Sequence, residues 1–116
     1  MDNQKSTDSG KIEYILVCPV DELKNNERLY IDVDGLSMLI FNIGGNFYAL
    51  ADVCSHDDGP LGDGELQSWN VVCPRHGARF DVRTGEALSL PAVVDISTYP
   101  VRIRDGNLEV GIPKAK

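Results

Sequence analysis

The sequence predicts an all-β domain, an antiparallel sandwich or barrel. Short runs with apolar residues at every second position recur along the chain. Gly and Asp turn dipeptides separate them at the roughly 8–12-residue spacing typical of β domains. No segment of about ten residues carries the 3.6-residue apolar period of an amphipathic helix.

The elements follow in order. Met1–Gly10 is a polar tail, and residues 11–116 form a single domain. Its start has neither the apolar core of a signal peptide nor a twin-Arg pair, so the cytoplasm is the expected compartment. Ile12 to Cys18 is a β-rich run that Pro19 ends, because proline lacks the N–H a ladder needs. Asp21 to Glu27 has room for one helical turn. Leu29, Ile31 and Val33 alternate with Tyr30 and Asp32, and Asp34-Gly35 turns the chain into Leu36–Ile43. Gly44-Gly45 turns it again into Asn46–Val53. Ser68–Val72 is a further short strand. Tyr99, Val101 and Ile103 alternate before the Asp105-Gly106 hairpin, which leads into Leu108, Val110 and Ile112. Two stretches do not read as sheet, Cys54–Gln67 and Pro74–Pro91. Long irregular stretches in a compact domain are commonly functional.

At 116 residues the chain suits one domain, and 42% hydrophobic with 25% charged residues is the balance of an ordinary globular protein. No apolar run approaches the roughly 20 residues of a spanning helix. Eleven Lys and Arg against eighteen Asp and Glu leave a net charge of −7. Such a surface repels phosphate backbones and anionic lipid, which argues against nucleic-acid and membrane partners and for a basic protein partner. Three cysteines without a secretory signal argue against a disulfide framework.

The chemistry gathers in Cys54-Ser55-His56 and Cys73-Pro74-Arg75-His76. Both histidines of the chain lie within three residues of a cysteine, each pair at or beside the start of an irregular stretch. Cys and His together suit a soft or borderline metal. A structural zinc site usually groups its ligands as a Cys pair and a His pair. Here each segment offers one of each, which fits a two-iron cluster whose irons need different ligands. Cys18, in an apolar strand, reads as a small core residue, and Trp69 as sheet packing.

This pattern, C-x-H and then C-x-x-H after a spacer of 16 residues, resembles the Rieske [2Fe–2S] family. The flanking residues extend the likeness: Phe47-Tyr48-Ala49-Leu50 before the first segment, Phe80-Asp81 and Thr84-Gly85-Glu86-Ala87 after the second, then Pro91. The chain looks like the small soluble ferredoxins of ring-hydroxylating dioxygenase systems. The resemblance implies a Rieske-type antiparallel β sandwich or barrel with two cluster-binding loops at one tip, and one [2Fe–2S] cluster per chain. Cys54 and Cys73 would hold one iron, His56 and His76 the other, with the histidines facing solvent. Gly59, Pro60, Arg75, Gly77 and Pro91 would surround the cluster, Pro91 as a cover. The glycines Gly59, Gly62, Gly64 and Gly77 would serve positive φ or close approach. The acidic residues Asp57, Asp58, Asp63 and Glu65 read equally as a solvated rim or as a docking patch.

Departures from the family are informative. Respiratory-chain Rieske proteins join the loops by a disulfide at positions that are here Gly59 and Arg75. They place Ser and Tyr hydroxyls where this chain has Ala78 and Phe80. Missing hydrogen bonds to the cluster lower its potential, toward about −150 mV, the low end of the Rieske range. The implied function is a one-electron carrier, from an NAD(P)H-dependent flavoprotein ferredoxin reductase to a terminal oxygenase. An oxygenase itself would need a 2-His-1-carboxylate triad, and both histidines are already assigned. The alternatives are a small Rieske subunit or ferredoxin of another redox system and, from another class, a zinc-stabilised interaction module.

Overall fold

The computed structural model describes residues 12–53, 61, 64–74, 77–90 and 94–113. Among these residues ten strands follow in order: β1 (Ile12–Pro19), β2 (Arg28–Val33), β3 (Leu36–Ile43), β4 (Asn46–Ala51), β5 (Glu65–Gln67), β6 (Asn70–Val72), β7 (Arg79–Asp81), β8 (Thr98–Tyr99), β9 (Val101–Arg104) and β10 (Asn107–Pro113). The helical content among the described residues is a single 3-10 turn, Val20–Glu22, one residue earlier than the polar stretch suggested. The strands pair antiparallel into three sheets, ordered β9-β10-β1, β2-β3-β4-β8 and β5-β6-β7.

The three turn dipeptides set the registers. Asp34-Gly35, Gly44-Gly45 and Asp105-Gly106 all take positive φ at both residues, between 51° and 90°. Two-residue loops of that kind match the twist of the strands they join, and they pair Val33 with Leu36, Ile43 with Asn46 and Arg104 with Asn107.

Strand β3 explains the layering. Its run Met38-Leu-Ile-Phe-Asn-Ile43 is buried throughout, the pattern of a strand covered on both faces. Leu39, Phe41 and Ile43 point to one side, with Leu50 of β4, and form a core with Leu61, Val71, Cys73, Ala78 and Phe80. Met38 and Ile40 point to the other side, with Ala49, against Leu108, Val110 and Ile112 of β10. The middle sheet therefore serves two cores, and each fully buried Leu, Ile or Phe contributes about 1.5–3 kcal/mol. The core on the β5-β6-β7 side is the one that includes Cys73.

Several local readings are corrected. Each irregular stretch contains a three-residue strand, β5 and β7. Ser68 and Trp69 are the turn between β5 and β6 instead of the start of a strand, with Ser68 at φ 58°. The strand from Asn46 ends at Ala51, two residues early. Pro19 is the last residue of β1, opposite Asn107, where no further ladder donor is required. Cys18 is half-buried against the second core. Burial, and then the neighbouring charge of Glu22, push its thiol pKa up. The polar tail lies outside the described residues.

Candidate metal centre

The first candidate ligand loop leaves the middle sheet at the end of β4. The Ala51 N–H donates to the Ser97 carbonyl and the Asp52 N–H to the Ser37 carbonyl, each at 2.9 Å. On the far side of the loop, the Leu61 N–H donates to Asp52 Oδ1 at 2.8 Å, and the Leu61 side chain is fully buried. Gly64 then donates its N–H to the Leu61 carbonyl at 2.9 Å. Its own carbonyl accepts from Arg28 Nη1 at 2.5 Å. A Cβ on Gly64 would meet the Val72 carbonyl oxygen, so glycine is required there by close approach and not by φ.

The second loop begins directly after β6. Cys73 is 1% exposed and takes part in no disulfide among the described residues. Its N–H donates to the Ala78 carbonyl at 2.7 Å, and the Gly77 N–H donates back to the Cys73 carbonyl at 3.0 Å. Gly77, at φ 76°, reverses the chain in a region that other residues enter only at a cost. The turn thus delivers the chain from β6 into β7, with Ala78 and Phe80 fully buried beside Cys73.

A polar and aromatic layer backs this loop. Arg83 pairs with Asp81 through Nε at 3.1 Å and Nη2 at 3.0 Å. Its guanidinium lies 4.8 Å from the centre of the Trp69 ring, and Trp69 meets Tyr48 edge-on at 6.0 Å. The Arg83 hydrogen bonds are the main cause holding the Asp81 carboxyl below its ordinary pKa, against the opposing effect of burial. Next along β7, the Arg79 N–H donates to Ser89 Oγ at 3.1 Å and its guanidinium to Gln67 Oε1 at 2.6 Å.

Of the predicted site residues, the structure places Cys73, Gly77 and Glu65. Glu65 is exposed at the start of β5 and borders a cleft of about 640 Å³ with Arg28 and Trp69. Cys54, His56, His76, Gly59, Pro60, Arg75, Pro91, Asp57, Asp58 and Asp63 lie outside the described residues, as does Gly62. Sequence reasoning missed Asp52 and Arg28, which tie the first loop to the middle sheet. An aspartate at a strand end and an arginine at a strand start carry no pattern that separates them from ordinary surface charge.

Residues 13–100 match the family model described as the Rieske [2Fe–2S] domain. The chain belongs to the Rieske family. The chain is 41% identical over 103 residues, covering 88% of this chain and 96% of the relative, to a protein of Shigella flexneri serotype 5b named as the ferredoxin subunit of 3-phenylpropionate/cinnamic acid dioxygenase. Among solved structures it is similar to the ferredoxin of carbazole 1,9a-dioxygenase from Nocardioides aromaticivorans IC177. That match has a TM-score of 0.80 and 33% identity, over 87% of this chain and 98% of that one. A complex of reduced oxygenase and oxidized ferredoxin in carbazole 1,9a-dioxygenase contains a chain matched with a TM-score of 0.81 at 27% identity, over 89% of this chain and 96% of that one. The fold is therefore the Rieske ferredoxin fold, and the chain is an electron carrier with a Rieske-type [2Fe–2S] cluster, the electron-transfer component of a dioxygenase-type system and not its oxygenase. No helix among the described residues is long and apolar enough to cross a membrane.

The described residues fit such a cluster. A buried cysteine opens a turn whose ends are joined by backbone bonds, in one apolar core with Ala78 and Phe80. A cysteine sulfur is a soft donor of the kind that iron–sulfur chemistry uses.

Proposed function

We propose that Cys54 and Cys73 hold one iron of the cluster and His56 and His76 the other, and that a single domain spanning residues 11–116 carries it. The observation that carries the assignment is Cys73, a buried cysteine that opens a turn ending at a positive-φ glycine one residue beyond His76. The spacing of the other donors is that of the family motif. When bound, the group takes up and gives back one electron. The protein's own part is to fix the donors, to keep water from the thiolate side through Ala78, Phe80 and Leu61, and to present the histidine side outward. The residues Gly59, Pro60, Arg75, Gly77 and Pro91 shape the surroundings of the cluster.

The donor in this reading is an NAD(P)H-dependent flavoprotein ferredoxin reductase, and the acceptor is a terminal oxygenase acting on an aromatic ring. The oxygenase half is supported by the carbazole dioxygenase complex, in which a similar chain is the ferredoxin. The reductase half rests on the low potential that Ala78 and Phe80 imply. Asp57, Asp58, Asp63 and exposed Glu65 form the acidic rim that meets these partners. The cytoplasm, where thiols stay reduced, suits both the cluster thiolates and Cys18.

The test is an EPR spectrum of the purified protein before and after anaerobic reduction, with iron and zinc counted on the same sample. An anisotropic signal that appears only on reduction, with two irons per chain, is expected. A silent protein with one zinc per chain would overturn the reading.

A further inference from the structure

We propose that Asp52 is a positioning residue for the first ligand loop, acting through the hydrogen bond that its Oδ1 accepts from the Leu61 N–H. The proposal rests on the reading that Cys54 and His56 are ligands. Asp52 stands two residues before Cys54, at the point where the chain leaves β4. Its own N–H donates to the Ser37 carbonyl at 2.9 Å, which fixes its backbone to the middle sheet. Its side chain reaches across the loop to a backbone donor nine positions later, at 2.8 Å. Leu61 is fully buried in the same core as Cys73, so the bond ties the exit of the loop to a fixed point.

The bond joins the two ends of the first loop. The seven residues Cys54–Pro60 stand between the two anchors with Val53. Bringing the ends of such a loop together costs entropy that a single well-placed contact offsets. A carboxylate accepting from a backbone N–H is among the stronger hydrogen bonds available for this. Arg28 adds a second tether three residues on, with its guanidinium bonded to the Gly64 carbonyl and stacked 5.0 Å from the centre of the Phe41 ring. Both tethers come from the middle sheet, so both ends of the first loop are referred to one rigid element. The ends of the second loop are joined by backbone bonds between Cys73, Gly77 and Ala78, and those of the first by the Asp52 carboxylate.

Hydrogen bond and charge are separable. Asp52→Asn keeps the Oδ1 acceptor and removes the charge, whereas Asp52→Ala removes both. Glu13→Ala deletes an exposed carboxylate from β1, in another sheet, and controls for net charge. Iron release from the reduced holo protein into a ferrous-iron chelator under argon is followed together with the reduced-state EPR signal and the midpoint potential. Asp52→Ala is expected to release iron on the order of tenfold faster than the wild type, as loss of one hydrogen bond of this kind predicts, with a broadened EPR signal. Asp52→Asn is expected to release iron at the wild-type rate with a higher potential, and Glu13→Ala to leave release and signal unchanged. Should Asp52→Ala assemble no cluster while Asp52→Asn does, the rescue supports the proposal. Wild-type release from Asp52→Ala, or an Asp52→Asn as defective as the alanine variant, would overturn it. A wild-type protein without the reduced-state signal would instead overturn the ligand reading beneath it.

Discussion

At the scale of single residues, Ala78 and Phe80 are the positions from which a low potential is expected. Both are fully buried in the core that contains Cys73, and the Ala78 carbonyl accepts from the Cys73 N–H. Respiratory-chain members carry hydroxyls at these two positions, and a hydroxyl beside the cluster stabilises the electron-rich reduced state. Ala78→Ser combined with Phe80→Tyr is therefore expected to raise the midpoint potential, read by EPR-monitored redox titration. An unchanged potential would mean that neither position reaches the cluster. Stability adds a second readout. A hydroxyl buried without a partner costs about 1–3 kcal/mol, so a higher potential with little change in urea midpoint indicates that the new groups found sulfur acceptors. The family was legible in the sequence because scarce residue types, Cys and His, stand at a narrow spacing. Asp52 and Arg28 were not, because their roles come from contacts 9 and 36 positions away that no local pattern announces.

At the scale of elements, legibility followed strand length and turn chemistry. Strands β2, β3 and β4 were read with ends at or near those observed, since Asp-Gly and Gly-Gly turns force the register. Strands β5 and β7 were not read. At three residues each they are too short for a period of two to show, and Ser68-Trp69 is a turn without a glycine. What holds this sheet is tertiary, including the Val82 N–H donated to the Trp69 carbonyl at 2.8 Å and the Arg83 guanidinium over the Trp69 ring, and the local Asp81–Arg83 pair sets Arg83 in that place. Arg83 also donates its N–H to Asp81 Oδ1 at 2.8 Å and covers Trp69, so one carboxylate organises the chain after β7. Its pKa in the folded protein lies below that of the unfolded chain. A depressed carboxylate stabilises the fold above its unfolded pKa, near 3.9, and that contribution is lost as pH falls through the folded value. The difference in urea midpoint between the wild type and Asp81→Asn, followed by Trp69 fluorescence, should be constant from about pH 7 to pH 5 and shrink below about pH 4. A gap that widens on acidification would show that Asp81 is not stabilised as its charged form.

At the scale of the whole molecule, charge and layering divide the work. The β9-β10-β1 sheet and the middle sheet bury a purely apolar core of Met38, Ile40, Leu108, Val110 and Ile112, which asks nothing of the cluster. The opposite core surrounds Cys73 and ends at the loops. The surface carries a net charge of −7, and exposed Glu65 lies at the edge of the sheet that follows the first loop. A carrier must meet two partners in succession and leave each quickly, so long-range attraction serves it better than a large apolar contact. The field of a surface with this charge steers a basic partner and is screened within about 10 Å at 0.1 M salt and about 3 Å at 1 M. The second-order rate of reduction by its flavoprotein partner, measured by stopped flow, should therefore fall by about tenfold or more between low and high salt. Glu65→Gln should shallow that dependence while leaving the midpoint potential and the rate at high salt close to those of the wild type. A rate that holds steady or rises with salt would mean that the partner meets an uncharged face, and that the acidic rim is only solvated surface.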